Sequence, residues 1–208
     1  VYNEFTRSLL SRYNPGVRII PSGVDCRRFV PRPEGEPPGP PGILMTGRVN
    51  DSLKGFGTVK AACDRLHSEG LDFKLYITAA MDVDFQAPYL ENLGWVSQED
   101  LPSLYHRGVI SLVPSVWMEP FGITAVESMA SGLPVIASRI GGLETSVVDG
   151  ETGFLIPPGH TEAMAQRLRE LLGNPELRLT MGQAGRRRAE EVFDWDVLVK
   201  KHYLPMVK

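Results

Sequence analysis

The chain has 208 residues, a formal net charge of -3 and an apolar content of 42%, which together predict one globular domain with a sizeable core. Acidic and basic residues are interspersed, so the sequence offers no basic surface for nucleic acid. No apolar segment reaches the roughly 18 residues of a membrane-spanning helix. Cys26 and Cys63 are too few for a zinc or disulfide framework, which favours a reduced, cytoplasmic setting.

The first 42 residues predict a helix, a strand and a linker. Residues 2–13 have helical apolar spacing and end at an Asn-Pro-Gly breaker, and the apolar run at 17–20 predicts a short strand. Six prolines and three glycines lie within residues 31–42, which excludes helix and central strand and predicts a linker. The chain begins without Met, inside what reads as a helix, so we expect a piece of a longer protein.

From residue 43 onward, short apolar runs alternate with helical patterns, which predicts a doubly wound α/β domain with a parallel sheet covered on both faces. The predicted strands are 43–46, 73–78, 93–96, 109–113, 134–137 and 153–156. The predicted helices are 58–69, 98–107, 123–131, 145–148, 161–172, 176–189 and 196–207. No strand separates the last two helices, so the terminal one is expected to leave the body of the domain.

Two acidic residues flank the predicted start of the helix at 123–131. Glu119 lies just before the turn at Gly122, and Glu127 lies about one helical turn inside, so both can face the same pocket. The first turn of a helix carries unpaired N–H groups and attracts phosphate. Carboxylates accept hydrogen bonds from hydroxyl groups, so the arrangement predicts a site for phosphate joined to a polyhydroxyl group.

Two basic residues are expected at the same edge of the sheet. Arg48 and Lys54 lie in the loop after the strand at 43–46, and ligands of open α/β sheets bind beyond the carboxyl ends of the strands. A guanidinium and an ammonium group suit a diphosphate. The run at 186–188 is predicted to be a solvated helix face, and the four histidines are interpreted as structural or surface residues. Fingerprints of dinucleotide-binding proteins, P-loop enzymes, zinc proteases and serine hydrolases do not occur.

The segment from Glu119 to Glu127, with seven residues between the acids, resembles the E-x7-E signature of retaining glycosyltransferases with the GT-B fold, family 4. Further motifs follow in the order of that family, at 47–48, 54–55, 94–97, 141–144 and 149–155. Residues 21–25 resemble its hinge motif. Two features depart from the family pattern: the interval from Arg48 to Lys54 is one residue longer, and residues 78–84 lack the usual glycines.

The resemblance implies a domain organisation. Residues 1–30 would form the hinge, with a crossing helix and a first strand, residues 31–42 the linker, residues 43–190 a Rossmann-like nucleotide-sugar domain, and residues 191–208 a C-terminal crossing helix. An N-terminal domain of the same protein would hold the acceptor, so little or no transfer is expected from these 208 residues alone. Peripheral membrane association would arise only through that further domain.

The resemblance also implies a donor, which would be a UDP-, GDP- or ADP-sugar bound without a metal or other cofactor. Arg48 and Lys54, with the turn at Gly47, would hold the diphosphate. Glu127 would bind the ribose hydroxyls, and Glu119 would contact the transferred sugar. Assisting groups would be the backbone N–H groups of Phe121, Gly122, Ile123 and Thr124, and the loop at Val96 would line the base.

Two alternatives to a glycosyltransferase remain open from the sequence. One is a GT-B relative such as a sugar-nucleotide epimerase or a phosphorylase, which would share the sheet. The other is a nucleotide-binding or interaction module that keeps the fold without catalysis.

Overall fold

A computed structural model describes residues 1–33, 37–79 and 86–207. Within this part of the chain, six short strands form one parallel sheet. The strands are β1 (Gly42–Met45), β2 (Lys74–Ile77), β3 (Leu90–Asn92), β4 (Ile110–Val113), β5 (Val135–Ser138) and β6 (Gly153–Ile156). Their order is β3-β2-β1-β4-β5-β6, with every pair parallel. The chain reverses its direction of winding between β1 and β4, which makes that point the switch point of the sheet.

Eight α-helices accompany the sheet in the described residues. They are α1 (Glu4–Leu10), α2 (Phe56–Ser68), α3 (Leu101–Tyr105), α4 (Ile123–Ala130), α5 (Leu143–Ser146), α6 (Thr161–Leu172), α7 (Pro175–Arg188) and α8 (Trp195–Leu198). Short 3-10 turns lie at Ser52–Lys54 and Leu204–Met206, and π-helical turns lie at Ala189–Phe193 and Val199–Tyr203.

Successive strand residues point to opposite sides of the sheet, and each side is covered by an apolar layer. Ile43 and Met45 of β1 join the apolar layer formed with α2 and α6. Leu44 points the other way and packs with the apolar residues of α4. All four residues of β1, β4, β5 and β6 are buried, as expected for a parallel sheet between two helical layers. The predicted doubly wound fold is confirmed.

Two predicted strands are wrong. The strand predicted at 93–96 lies three residues earlier, at Leu90–Asn92, as an edge strand beside β2 whose residues are half-buried or exposed. An edge strand needs no apolar run, whereas Leu93 and Val96 are apolar because they pack against the layer that contains α4. Residues 17–20 form no strand. Instead, Val24 pairs with Asp194 and joins the start of the C-terminal segment to the body.

The three arginines at 186–188 are not simply a solvated face. Arg186 donates hydrogen bonds to the carbonyl groups of Cys26, Phe29 and Ala130. Arg188 donates to the carbonyls of the last two residues of α5. Guanidinium groups at the carboxyl ends of α4 and α5 satisfy free carbonyls and interact favourably with the helix dipoles, so this run stabilises the fold.

The terminal segments expose several apolar side chains. Helix α1 contains no buried residue, and Phe5, Leu9 and Leu10 are each more than two-fifths exposed. Leu198 of α8 is buried, whereas most apolar residues that follow it are exposed. No helix in the described ranges is long and apolar enough to cross a membrane.

Candidate functional site

A cleft opens at the switch point, beyond the carboxyl ends of β1 and β4. It consists of two adjoining cavities of about 180 and 310 Å³. Both are lined by Thr46, Gly47, Arg48 and Thr124. The smaller cavity adds Lys54 and Ser115, and the larger one adds Trp95, Val96, Gln98, Ile123 and Glu127. Both cavities thus lie beyond the carboxyl ends of the strands, the edge at which the sequence predicts a ligand site.

The amino end of α4 forms one wall of this cleft. Gly122 precedes the helix with φ of +87°, a left-handed conformation that glycine adopts without strain. A Cβ atom there would lie 2.4 Å from Leu143. No side chain caps the helix, and in the described residues the N–H groups of Gly122, Ile123 and Thr124 donate no hydrogen bond. The helix therefore presents free donors to an anion.

Glu119 is paired with a cation. It is 8% exposed and accepts hydrogen bonds on Oε2 from the Lys54 ammonium group at 2.8 Å and the Ser115 hydroxyl at 3.0 Å. Lys54 also lies 5.3 Å from the ring centre of Trp117, where the face of the ring attracts a cation. The pair is largely shielded from water, since the two side chains are 24% and 11% exposed.

The loop that carries Glu119 rests on a glycine pair. The Gly142 amide donates to the Glu119 carbonyl at 2.7 Å, and a Cβ atom on Gly142 would lie 2.4 Å from the Cα atom of Phe121. The Asn3 amide side chain donates to the carbonyl of Pro120 at 2.7 Å. The Phe121 ring packs into the core beside Phe193, and Phe121 lines neither cavity.

Glu127 has a different environment. It is 9% exposed, and the Tyr105 hydroxyl donates to its Oε2 atom at 3.1 Å. Burial raises the pKa of Glu127 to about 7, while the hydrogen bond from Tyr105 and the charge of Arg28 act in the opposite direction. No ion pair involves Glu127 in the part of the chain that the structure describes.

The loop after β1 approaches α4 through Gly47. Gly47 has a φ of +103°. Its amide donates to the Thr78 hydroxyl at 2.8 Å, and that hydroxyl donates to the Gly47 carbonyl at 3.0 Å. Arg48 follows with its side chain 76% exposed and only a loose contact to Asp51, at 3.8 Å. Its guanidinium group is therefore available at the rim of both cavities.

Sequence reasoning did not name Ser115 and Trp95, which line the cleft, or Trp117 and Tyr105, which contact its Lys54 and Glu127 side chains. Ser115 and Trp117 lie in the loop after β4, a position that the rule of strand carboxyl ends could have selected. Trp95 is 76% exposed at the larger cavity and lies next to the predicted Val96. Tyr105 ends α3, and no local pattern indicates its contact with Glu127. Of the segment at 78–84, which lacks the glycines usual in the family, residues 80–84 lie outside the described residues.

A metal site is not evident in the cleft or elsewhere in the described ranges. No group of three or more histidine, cysteine, aspartate and glutamate side chains in them could hold a metal ion. The charged side chains that line the two cavities are those of Arg48, Lys54 and Glu127.

Comparison with known proteins identifies relatives of the whole domain. Residues 88–188 match the family described as glycosyl transferases group 1. The chain is 33% identical over 190 residues to an MMP alpha-(1->4)-mannosyltransferase of Mycolicibacterium hassiacum, in a match that covers 86% of this chain and 45% of that protein. Most of this chain is matched by such curated relatives, and it spans about half of their length.

Solved structures show the same architecture. Sucrose-phosphate synthase from Thermosynechococcus elongatus superimposes with a TM-score of 0.86 and 28% identity, covering 100% of this chain and 57% of that one. The C-terminal domain of the group 1 glycosyl transferase LpcC from Francisella tularensis superimposes with a TM-score of 0.69 and 25% identity, covering 87% of this chain and 98% of that one. The chain therefore belongs to the group 1 glycosyltransferases and has the Rossmann-like fold of a GT-B C-terminal domain.

Proposed function

We propose that this chain is the donor-binding half of a retaining glycosyltransferase of family 4, which binds a UDP-, GDP- or ADP-sugar without a metal ion. The observation that carries the proposal is the meeting of three features at one cleft: the free amino end of α4, the buried Glu127, and Lys54, which lines the smaller cavity and pairs with Glu119 behind it. The first two suit a diphosphate and its sugar, and the third suits ribose hydroxyls.

The diphosphate lies between Lys54, Arg48 and the N–H groups of residues 122–124. An ammonium group has three N–H donors, so Lys54 can keep its contact with Glu119 at 2.8 Å and also donate to a phosphate oxygen. Cleavage of the anomeric bond develops negative charge on the leaving diphosphate. Fixed donors at that point lower the barrier because they need no reorganisation during the reaction.

The two acids have separate roles. Glu127, on the second turn of α4 and on the wall of the larger cavity, accepts from the ribose hydroxyls, with Val96 and Trp95 beside the base. Glu119, whose Oε2 atom is held by Lys54 and Ser115, contacts the transferred sugar and orients it near the oxocarbenium-like centre. The acceptor then attacks from the face that the diphosphate leaves, which retains the anomeric configuration.

A further domain of the same protein holds the acceptor. Two observations support this part of the proposal: the chain spans 45% of its mannosyltransferase relative, and α1 and the residues after Leu198 expose apolar side chains. These segments pack toward that domain. The enzyme works in the cytoplasm, and the 208 residues alone bind the donor without transferring its sugar.

Titration calorimetry with UDP, GDP, ADP and the corresponding sugar nucleotides tests the proposal. Glu127→Ala is expected to weaken binding of the free nucleotide about tenfold or more, because a hydrogen bond to a charged group is lost. Glu119→Ala is expected to weaken chiefly the sugar-bearing donor. A folded wild-type chain that binds none of these compounds would refute donor binding, and equal losses on both ligands from Glu119→Ala would refute the division of roles.

An assay of the full-length protein distinguishes a transferase from an epimerase and from a non-catalytic module. Formation of a glycosidic product from the bound donor supports a transferase and excludes an epimerase. A full-length protein that binds the donor but forms no product with any acceptor would support a non-catalytic module.

A further inference from the structure

Tyr105 is a buried tyrosine with an unusual set of partners. Its side chain is completely buried, and its ring packs edge-on against Phe29 at 5.8 Å. Its hydroxyl lies 3.1 Å from Glu127 Oε2 and 3.1 Å from the hydroxyl of Thr46. The hydroxyl therefore bridges the end of β1 to the middle of α4, the two elements between which the cleft opens.

The direction of these hydrogen bonds follows from the chemistry of the groups. An ionised carboxylate only accepts, and a tyrosine hydroxyl has one hydrogen, so Tyr105 donates to Glu127 and Thr46 donates to Tyr105. Burial and the nearby Glu127 raise the pKa of Tyr105 well above its ordinary value, which keeps the hydroxyl protonated. The result is a fixed chain of donors that ends on one carboxylate oxygen.

We propose that Tyr105 is a positioning residue, which holds Oε2 of Glu127 and thereby leaves the other carboxylate oxygen to accept the hydroxyl groups of the donor. This inference rests on the proposed function, since it takes Glu127 to be the acceptor for the nucleotide ribose. Within the described residues, no other side-chain or backbone group donates a hydrogen bond to the Glu127 carboxylate. Without Tyr105, the carboxylate could rotate freely and would keep its charge less readily.

Tyr105→Phe removes the hydroxyl and keeps the ring. We expect it to weaken binding of the best-bound of UDP, GDP and ADP roughly tenfold, the loss for one hydrogen bond to a charged group. Tyr89→Phe is the matched control. Tyr89 is also buried, and its hydroxyl donates to Asp64 at 2.7 Å, but it precedes β3 at the opposite end of the strands from the cleft. This control is expected to leave nucleotide affinity unchanged.

The pH dependence distinguishes positioning from a general structural effect. The charged or titratable groups that act on Glu127 are Tyr105 and Arg28, and Arg48 lines the same cavity. Nucleotide affinity should decline as the pH falls through the pKa of Glu127, at about 7. Tyr105→Phe should shift that midpoint to higher pH, because the hydrogen bond favours the ionised carboxylate. Carboxyl-carbon NMR of Glu127 in the free protein should show the same upward shift.

A double-mutant cycle tests whether Tyr105 acts through Glu127. In a Glu127→Gln background, Tyr105→Phe should cost less than threefold in affinity, and independent, multiplicative losses would overturn the inference. An unshifted NMR titration of Glu127 would overturn it as well. Wild-type protein that binds no nucleotide refutes the proposed function, whereas a Tyr105→Phe protein that binds as tightly as wild type refutes only the inference.

If the Tyr105→Phe protein does not fold, a second variant tests the inference. Glu127→Asp keeps the charge but withdraws the carboxylate by one methylene, out of reach of the Tyr105 hydroxyl. If position matters, its loss of affinity should match that of Glu127→Gln. Affinity within twofold of wild type for Glu127→Asp would overturn the inference.

Discussion

The two acids of the cleft are buried to nearly the same extent, yet their surroundings differ. Glu119 and Glu127 are 8% and 9% exposed. Glu119 has an ammonium group at 2.8 Å, whereas Glu127 has a neutral tyrosine hydroxyl at 3.1 Å. Burial penalises a charge unless a partner compensates it, and for Glu127 this penalty raises the pKa to about 7. The charge of the hydrogen-bond partner, more than the depth of burial, distinguishes the surroundings of Glu119 from those of Glu127.

The supports of the two acids also differ. Glu127 belongs to α4, so the hydrogen bonds of a helix fix its backbone. Glu119 lies in a loop whose shape depends on the close approach of Gly142 and on the Asn3 side chain. The half of the cleft assigned to the nucleotide is thus the rigid one, and the half assigned to the sugar depends on packing between loops.

The largest expected effect comes from removing the charge of Glu127. Its folded pKa exceeds its ordinary value, so the native state binds the proton more tightly than the unfolded chain does. Glu127 therefore destabilises the fold progressively as the pH rises from about 4.5 to about 7, by about 3 kcal/mol in total. Chemical denaturation should show Glu127→Gln gaining stability relative to wild type across that window.

Glu119→Gln provides the contrast at pH 8. It removes a charge that Lys54 already compensates and leaves the ammonium group without its opposite charge, so no gain in stability is expected. A gain equal to that of Glu127→Gln would contradict the distinction between the two acids.

The next effect concerns the loop that supports Glu119. Gly142→Ala places a Cβ atom 2.4 Å from the Cα atom of Phe121, which neither backbone can relieve without movement. We expect a loss of about 2 kcal/mol in the free energy of unfolding, typical of overpacking, together with weaker binding of the sugar-bearing donor. Binding of the free nucleotide should change less, because Glu127 does not depend on this loop.

Gly57→Ala is the matched control. Gly57 lies in α2, and a Cβ atom there would meet nothing within 4 Å. The substitution should stabilise the protein by roughly 0.5–1 kcal/mol, because alanine favours a helix more than glycine does. A Gly142→Ala protein as stable as this control would show that the loop is more adaptable than its contacts indicate.

The sequence predicted the sheet and the place of the cleft because both follow from local patterns. Fully buried strands appear as apolar runs, and Gly122 marks the start of α4 before any contact is known. The edge strand β3 was misplaced because its residues are largely exposed and its position depends on pairing with β2. A pattern within the chain cannot reveal a pairing partner.

Contacts between distant residues were equally hidden. Tyr105 and Glu127 are 22 residues apart, and Arg186 reaches carbonyl groups as far as 160 residues away. The arginine run predicts a solvated face because Glu190 and Glu191 follow it closely in the sequence. Only the folded chain shows that two of these side chains donate to carbonyl groups near or at helix ends.

The smallest expected effect compares the two cations of the cleft. Lys54 is 24% exposed and paired with Glu119, whereas Arg48 is 76% exposed with only a loose contact to Asp51. Lys54→Ala should weaken binding of the nucleoside diphosphate about tenfold, the loss for one charge-assisted hydrogen bond. Arg48→Ala should weaken it only about threefold, because exposed charges contribute little.

Ionic strength sharpens this comparison. Calorimetry in low and high salt should show the Arg48 contribution fading, since salt screens exposed charges, while the shielded Lys54 contribution persists. Repeating the titrations with the nucleoside monophosphate should reduce both effects if the cations bind the terminal phosphate. A larger loss from Arg48→Ala than from Lys54→Ala would mean that the ion pair with Glu119 keeps Lys54 from the diphosphate, and Lys54 would then serve mainly to compensate the charge of Glu119.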